Sequence, residues 1–200
     1  MLRSRPNPGY PARIGLIHAT RLAIEPALAA FQEAWPAAHP VNLVDESLQL
    51  DAANTDYDGP SFTQRILALA AGIPHIGRLE DPHGSAMKRS PLCGSTVTVD
   101  LMVEDGKIAN FAQDVKACAL GQSSASVLGA HAVGRTRAEI EAARAQLKAM
   151  IKQDGPAPET PFEDLEVLRP ARDYKNRHAS ILLAWEATLA AMDEAAVADG

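Results

Sequence analysis

The sequence lacks the features that mark several protein classes. Only two of its 200 residues are cysteines, and its net charge is −6. This acidic balance argues against electrostatic binding of nucleic acid, which usually needs a basic face. No apolar run approaches the roughly 20 residues that span a bilayer, and residues 1–12 contain no hydrophobic stretch of the kind found in secretory signals. We therefore expect a cytoplasmic protein that binds neither nucleic acid nor a membrane.

The composition is otherwise that of an ordinary globular chain. Hydrophobic residues make up 46% and charged residues 22% of the sequence, which is enough for one good core and a small appendage. In the cytoplasm, two cysteines are more often reduced thiols or metal ligands than a structural disulfide. The two cysteines are therefore the first candidates for chemistry.

A predicted hairpin separates Cys93 from Cys118. Asp105 and Gly106 stand midway between the two cysteines and between two strand-like runs, 97–103 and 107–111, and Asp-Gly in that setting indicates a tight turn. Folding the chain at this turn returns both thiols to the same end of the ribbon. The pattern predicts a metal or cluster site, and it also fits two small buried hydrophobic residues, a common role of free cysteine.

The chain divides into two parts at a polar, turn-rich stretch, residues 51–60. Before it, the pattern predicts a strand at 14–17, a helix at about 22–35 and a strand at 41–44. We therefore expect a βαβ-like appendage over residues 1–55 and a larger domain over residues 57–196.

Four features predict the helices of the larger domain. Apolar spacing over 64–71 suits a short helix, which is followed by a turn-rich loop leading to Cys93. The small residues after Cys118 are typical of a helix packed closely against a sheet. Thr136 and Glu139 form a capping box, which opens a helix to about residue 153, and a last helix covers about 176–196.

The surroundings of both cysteines suit metal-binding thiolates. A helix amino terminus or a nearby cation stabilises a thiolate, and Cys118 has Lys116 two residues before it and a predicted helix after it. Gly94 follows Cys93, so the backbone can turn sharply there and bring an amide towards the sulfur.

Several motifs of this domain occur together in one known family. They are Ile73-Pro-His-Ile-Gly-Arg-Leu79, Pro91-Leu-Cys-Gly94, the valine-rich hairpin with Glu104-Asp-Gly106, Cys118 followed by Ser123-Ser-Ala-Ser126, and Arg177-His-Ala-Ser-Ile-Leu-Leu183. In this order and spacing the chain resembles the NifU/IscU-type iron–sulfur cluster scaffolds over residues 57–192. The resemblance implies an α+β fold, in which helices cover a small antiparallel sheet.

The resemblance also implies a function. Such a scaffold receives sulfur from a cysteine desulfurase and iron from a donor, holds a nascent [2Fe–2S] cluster, and passes it to apo iron–sulfur proteins. The scaffold turns over no substrate bond, so we expect a protein that is not an enzyme.

This sequence departs from the family pattern at two places. Ser95 stands where the family usually has an aspartate, and the third cysteine, at the start of the last helix, is missing. Either His178 replaces that cysteine, or His178 matches a histidine that some members carry just before it and Ala179 replaces the cysteine. Both registers put an imidazole near the site. We therefore expect Cys93, Cys118 and His178 to be the ligands of iron or a cluster, or alternatively of zinc.

The remaining candidate residues have weaker support. His75 and His83 lie in a predicted loop, where solvated or hydrogen-bonded roles are commoner than ligation, and His39 and His131 have no supporting motif. Lys116 is as well explained by a solvated strand position as by a role in sulfur acceptance at Cys118.

The amino-terminal segment resembles a different family. Arg13-Ile-Gly-Leu-Ile-His-Ala-Thr20 and Val41-Asn-Leu-Val-Asp-Glu-Ser-Leu48 look like the opening of the aspartate/glutamate racemase superfamily. Those enzymes use a cysteine pair, and no cysteine precedes position 93, so we assign no catalytic role to His18 or Asp45. Three alternatives remain besides the scaffold: a zinc-binding sulfur acceptor of the same fold, a thiol redox enzyme, and a racemase.

Overall fold

The computed structural model describes residues 13–18, 39–44, 62–91 and 94–198. The chain divides into two compact units, residues 1–56 and residues 57–200. The division falls inside the polar stretch 51–60. No helix of the described part is long and apolar enough to cross a membrane.

The first unit contains a pair of parallel strands, β1 (Arg13–His18) and β2 (His39–Val44). The register pairs the first residues of the two strands, Arg13 and His39, and the last residues, His18 and Val44. The strands predicted at 14–17 and 41–44 lie within them. The predicted helix at 22–35 and the stretch 51–60 lie outside the described residues, and the non-catalytic role of this unit stays a prediction.

The second unit carries a three-stranded antiparallel sheet in the order β3-β4-β5. Its elements are α1 (Phe62–Ala71), β3 (Gly84–Arg89), β4 (Thr96–Glu104), β5 (Lys107–Lys116), α2 (Ala119–His131), α3 (Arg137–Gln153), two 3-10 segments (Glu163–Asp173 and Lys175–Arg177) and α4 (His178–Ala198). Helix α4 packs across β3 and β4, and α2 and α3 pack on α4. The predicted fold class, a small antiparallel sheet covered by helices, is confirmed.

The hairpin between β4 and β5 is the one that Asp-Gly predicts. Asp105 and Gly106 have φ values of 50° and 73°, the left-handed conformation that a tight two-residue hairpin turn needs and that glycine and aspartate tolerate. The ladder runs from this turn to the pair Thr96 and Lys116, with one irregularity between Met102 and Val103. Thr96 is three residues after Cys93 in the sequence, and Lys116 is two residues before Cys118. The strand residues closest in sequence to the two cysteines therefore pair at the same end of the ribbon.

The segment before Cys93 was expected to be a loop, and this prediction is wrong. Residues Gly84–Arg89 form β3, which pairs with β4 from Gly84 and Leu101 to Arg89 and Thr96. The sequence of β3 lacks an alternation of apolar residues, so pairing and packing create this strand. Gly84 abuts α4, and a side chain there would overlap the backbone carbonyl of Ala191.

The small residues of α2 allow close packing, but chiefly against helices. The helix lies mainly against α4 and α1 and less against β5, which corrects the expected contact with a sheet. A serine joins α2 to α4: Ser124 Oγ donates to the Ile181 carbonyl at 2.7 Å and accepts from Trp185 Nε1 at 3.0 Å. These bonds satisfy polar groups that are buried between the two helices.

The capping box at the start of α3 is confirmed. The amide of Glu139 donates to Thr136 Oγ1 at 3.3 Å, and the amide of Thr136 donates to Glu139 Oε2 at 2.7 Å. The backbone hydrogen bond from Thr136 is the main reason that the pKa of Glu139 is lowered. Helix α3 therefore begins where the sequence places it.

An ion pair between the exposed Arg78 and the buried Asp100 holds the loop that leads from α1 to the sheet. The Asp100 side chain in β4 is inaccessible, and Arg78 binds it through Nε at 2.5 Å and Nη2 at 2.9 Å. Ser85 Oγ and the Leu79 amide also donate to it, at 2.6 and 3.1 Å. Burial raises the pKa of Asp100, but these hydrogen bonds outweigh it, so the net pKa is lowered.

Candidate functional site

Cys118 lies at the junction between β5 and α2. It is the N-cap residue of α2, in extended conformation, and its side chain makes no capping hydrogen bond. Its carbonyl accepts the Gln122 amide at 2.9 Å, the first bond of the helix. The half-buried thiol therefore lies at the amino terminus of α2, the position in the chain that the sequence predicts for it.

One buried hydroxyl group contacts this thiol, and a second buried hydroxyl group contacts the first. Ser180 Oγ lies 3.5 Å from Cys118 Sγ and 3.1 Å from Ser95 Oγ. Ser180 is 1% exposed and Ser95 is 5% exposed. The site therefore joins three segments: the residue before β4, the start of α2 and the first turn of α4.

The loop that carries Cys93 is closed on both sides by hydrogen bonds. The Ser90 amide donates to the Ser95 carbonyl at 2.8 Å, and the Gly94 amide donates to the Ser90 carbonyl at 3.1 Å. Gly94 has a φ of 71°, so the sharp turn expected at this glycine is present. Cys93 itself lies outside the described residues, between two anchored serines.

His178 begins α4, and its ring is 6% exposed. Its Nε2 lies 3.1 Å from the carbonyl oxygens of both Ala171 and Arg172. Because both partners are acceptors, Nε2 carries the ring proton, and the lone pair of the neutral ring is on Nδ1. Histidines that bind metals commonly donate their other ring N–H to a carbonyl in this way.

His178 and Cys118 do not share the same immediate surroundings. Residues two apart on an α-helix point roughly 200° apart, so His178 and Ser180 occupy different faces of α4. His178 and Ala179 line a cavity of about 700 Å³ between the end of α3 and α4, whereas Ser180 contacts Cys118. Within 62–91 and 94–198, no three His, Cys, Asp or Glu side chains are grouped to hold a metal. The ligand set Cys93, Cys118 and His178 stays a prediction.

Among the residues with described side chains, three other histidines and Lys116 have local partners. His75 and His131 pack edge-on against Phe111 and Phe162. His83 Nδ1 accepts the Val103 amide at 3.2 Å. Lys116 is exposed and pairs with Asp114 at 3.0 Å.

Sequence reasoning missed Ser180 as a member of the site. This serine belongs to the motif Arg177–Leu183, in which only His178 and Ala179 were weighed as ligand positions. The available signal was a serine in the first turn of an otherwise apolar helix. A hydroxyl is not a usual ligand of a soft metal, so ligand chemistry alone does not indicate Ser180.

The chain is similar to known iron–sulfur cluster scaffold proteins. One solved structure is that of a nitrogen-fixing NifU-like protein (N-terminal) from Brucella abortus, whose sequence is 46% identical to this chain. The match covers 67% of this chain and 93% of the Brucella chain, and the TM-score is 0.65. The iron–sulfur cluster assembly scaffold protein IscU of Thermotoga maritima is 23% identical over 125 residues, which are 62% of this chain and 87% of that protein.

A more distant structure shares the fold. The putative iron–sulfur cluster assembly scaffold protein for the SUF system from Fervidobacterium islandicum AW-1 is 20% identical to this chain. The match covers 64% of this chain and 94% of the Fervidobacterium chain, and the TM-score is 0.59. No family model matches the sequence.

Proposed function

Because this chain belongs to the NifU/IscU-like family of iron–sulfur cluster scaffolds, we propose that it binds iron, assembles a nascent [2Fe–2S] cluster and transfers that cluster to apo iron–sulfur proteins. The sulfur comes from a cysteine desulfurase. Iron and sulfide are the cargo of the site, so the protein acts as a carrier and not as an enzyme.

The position of Cys118 carries this proposal. Its thiol is half-buried at the start of a 13-residue helix, with no capping bond to occupy it. The β4–β5 register pairs Thr96 with Lys116, so the strand residues closest in sequence to Cys93 and Cys118 lie at the same end of the sheet. Two thiolates at one sheet edge are the soft ligands that iron–sulfur clusters use.

His178 completes the proposed ligand set through Nδ1. The bonds from Nε2 to the two 3-10 carbonyls fix the tautomer and the ring orientation. Two sulfurs and one nitrogen leave a fourth position for sulfide, water or a ligand from a partner protein. A neutral imidazole in place of a thiolate also removes one negative charge from the cluster environment.

A zinc-binding sulfur acceptor of the same fold is the second candidate. Two thiolates and an imidazole with one open position are also a common zinc donor set. In that case Cys93, Cys118 and His178 would hold zinc, and the metal would stabilise the structure or tune the thiol that accepts sulfur from the desulfurase. Metal content and cluster transfer distinguish the two functions.

The test of the proposal is transfer of a loaded cluster. The full chain is reconstituted anaerobically, freed of unbound iron and sulfide, and mixed with an apo [2Fe–2S] ferredoxin and an iron chelator. Appearance of the ferredoxin spectrum supports the proposal. Capture of all the iron by the chelator, with no ferredoxin spectrum, contradicts it. Protein that keeps one zinc ion per chain under these conditions supports the second candidate instead.

A further inference from the structure

Four cations without carboxylate partners lie on α3 and just before α4. Arg144, Lys148 and Lys152 follow one another at four-residue intervals, so they share one side of α3. Lys175 lies in the short 3-10 segment that precedes α4. Within residues 62–91 and 94–198, no ion pair of these four side chains is described, and the buried Nε of Arg144 has no hydrogen-bond partner. These four residues form a basic strip on a chain whose net charge is −6.

A groove between α3 and α4 runs beside the basic strip. Its first cavity, of about 700 Å³, is lined by Lys152 and Lys175. Its second cavity, of about 310 Å³, is lined by Arg137 and Arg144. Glu186 of α4 lines both cavities, so the two adjoin. The part of α3 from Arg137 to Lys152 is roughly 22 Å long, which is the length of a four-turn helix.

The lining of the groove favours a protein segment over a uniform polyanion. Apolar side chains line both cavities, among them Leu182 in the first and Leu189 in the second. Glu186 lies where the cavities meet, and no ion pair of this carboxylate is described in 62–91 and 94–198. A phosphate backbone or an anionic lipid surface would bring like charge against Glu186. A peptide can instead place a lysine opposite Glu186, carboxylates on the basic strip and apolar side chains on the leucines.

We propose that the groove between α3 and α4 docks an acidic amphipathic helix of a partner protein. The carboxylates of this helix pair with the basic strip, and one basic residue near its middle pairs with Glu186. Helices that bind in grooves place their apolar anchors three and four residues apart. His178 and Ala179 line the first cavity, so the docked helix lies beside the proposed ligand His178. That consequence rests on the proposed function, whereas the docking itself needs no metal.

The test measures binding of a synthetic helix to the full-length, metal-free protein. The probe is a fluorescein-labelled peptide of about 16 residues, with glutamates four apart on one face, leucines on the adjacent face and one central lysine. Fluorescence anisotropy is recorded at about 0.1 M salt, where charges more than about 10 Å apart are largely screened. We expect saturable binding to the wild type. Lys148→Gln/Lys152→Gln should weaken it by about threefold to thirtyfold, as loss of two exposed ion pairs implies.

Arg65→Gln/Lys107→Gln is the matched control. Arg65 in α1 and Lys107 in β5 are exposed, and neither lines the groove. This variant changes the net charge by the same amount and should alter the affinity by less than about twofold.

Glu186→Gln tests the pairing at the middle of the groove. It should weaken binding of the peptide with the central lysine. It should leave binding of the same peptide with a central glutamine unchanged, because that peptide has no charge opposite position 186.

Three results would overturn the proposal. The first is the absence of saturable peptide binding to the wild type. The second is equal weakening in the two double variants, which would mean that overall charge alone attracts the peptide. The third is tighter binding of an oligothymidylate or of phosphatidylglycerol vesicles than of the peptide, which would assign the basic strip to nucleic acid or to a membrane. The assay contains no iron, so a failed cluster transfer by the wild type would be recognised separately.

Discussion

Gly121 and Ser180 bring α2 and α4 closer together than any side chain at position 121 would allow, with 2.5 Å between a Cβ built there and Ser180 Oγ. Gly121→Ala should therefore push the first turn of α4 away from Cys118. We expect a loss of about 1–3 kcal/mol in the free energy of unfolding, typical of overpacking, and weaker retention of a reconstituted cluster. Denaturant unfolding and cluster absorption measure the two effects.

The control for this glycine is Gly72→Ala. A Cβ at Gly72 would lie 3.5 Å from the Ala68 carbonyl oxygen, an ordinary contact. That variant should change stability by less than about 1 kcal/mol and keep the cluster. Equal behaviour of the two alanine variants would contradict the close approach at Gly121.

His178 has a structural role and a proposed ligand role, and two substitutions separate them. His178→Ala removes the donor to the Ala171 and Arg172 carbonyls and should cost about 1–2 kcal/mol of stability. His178→Gln keeps an N–H donor for these carbonyls but has no imidazole nitrogen to bind metal. We expect both variants to lower iron or cluster occupancy, and His178→Gln to retain more stability.

The comparison for metal content is His131→Ala. His131 packs its ring against Phe162 at the end of α2 and has no proposed ligand role. Its loss should leave metal analysis and cluster absorption unchanged. The same occupancy in His178→Ala and His131→Ala would remove His178 from the proposed site.

The Arg78–Asp100 pair predicts a pH dependence of stability. The pKa of Asp100 is lowered in the folded protein, so its contribution is present at neutral pH and is lost as the pH falls below about 3.8, the ordinary value, towards the lower folded value. In Arg78→Met, burial of Asp100 is opposed by fewer hydrogen bonds, and its pKa should rise. Acid unfolding, followed by circular dichroism, should then begin at a higher pH than in the wild type.

A cation elsewhere on the surface provides the reference for this experiment. Lys148→Met removes an exposed positive charge from α3 and changes the net charge by the same amount. Its acid unfolding should follow the wild type closely. If the acid-unfolding midpoint of Lys148→Met shifted as far as that of Arg78→Met, net charge and not the Arg78–Asp100 pair would set the midpoint.

Local signals in the sequence predict much of the second unit. Asp105-Gly106 predicts the hairpin because its left-handed φ values suit those residues, and the pair Thr136 and Glu139 predicts the start of α3. Both features depend on residues within one turn of each other. The same holds for Cys118, which the small-residue run places at the start of α2.

Contacts between distant segments could not be predicted in this way. Strand β3 has no apolar alternation and forms because β4 pairs with it and α4 covers Gly84. The contact between Ser95 and Ser180 joins residues 85 positions apart. This contact depends on how α4 packs on β3 and β4, which no local sequence pattern predicts.

Anaerobic reconstitution of the wild type and Cys118→Ala tests the central claim most directly. Both proteins receive ferrous iron, cysteine, a cysteine desulfurase and an excess of a dithiol reductant, which converts the persulfide sulfur to sulfide, and visible absorption and bound iron are measured after removal of unbound reagents. We predict a [2Fe–2S] chromophore with stoichiometric iron in the wild type and its loss in Cys118→Ala. Colourless wild-type protein, or an equal chromophore in both proteins, would contradict a scaffold that assembles its cluster on Cys118.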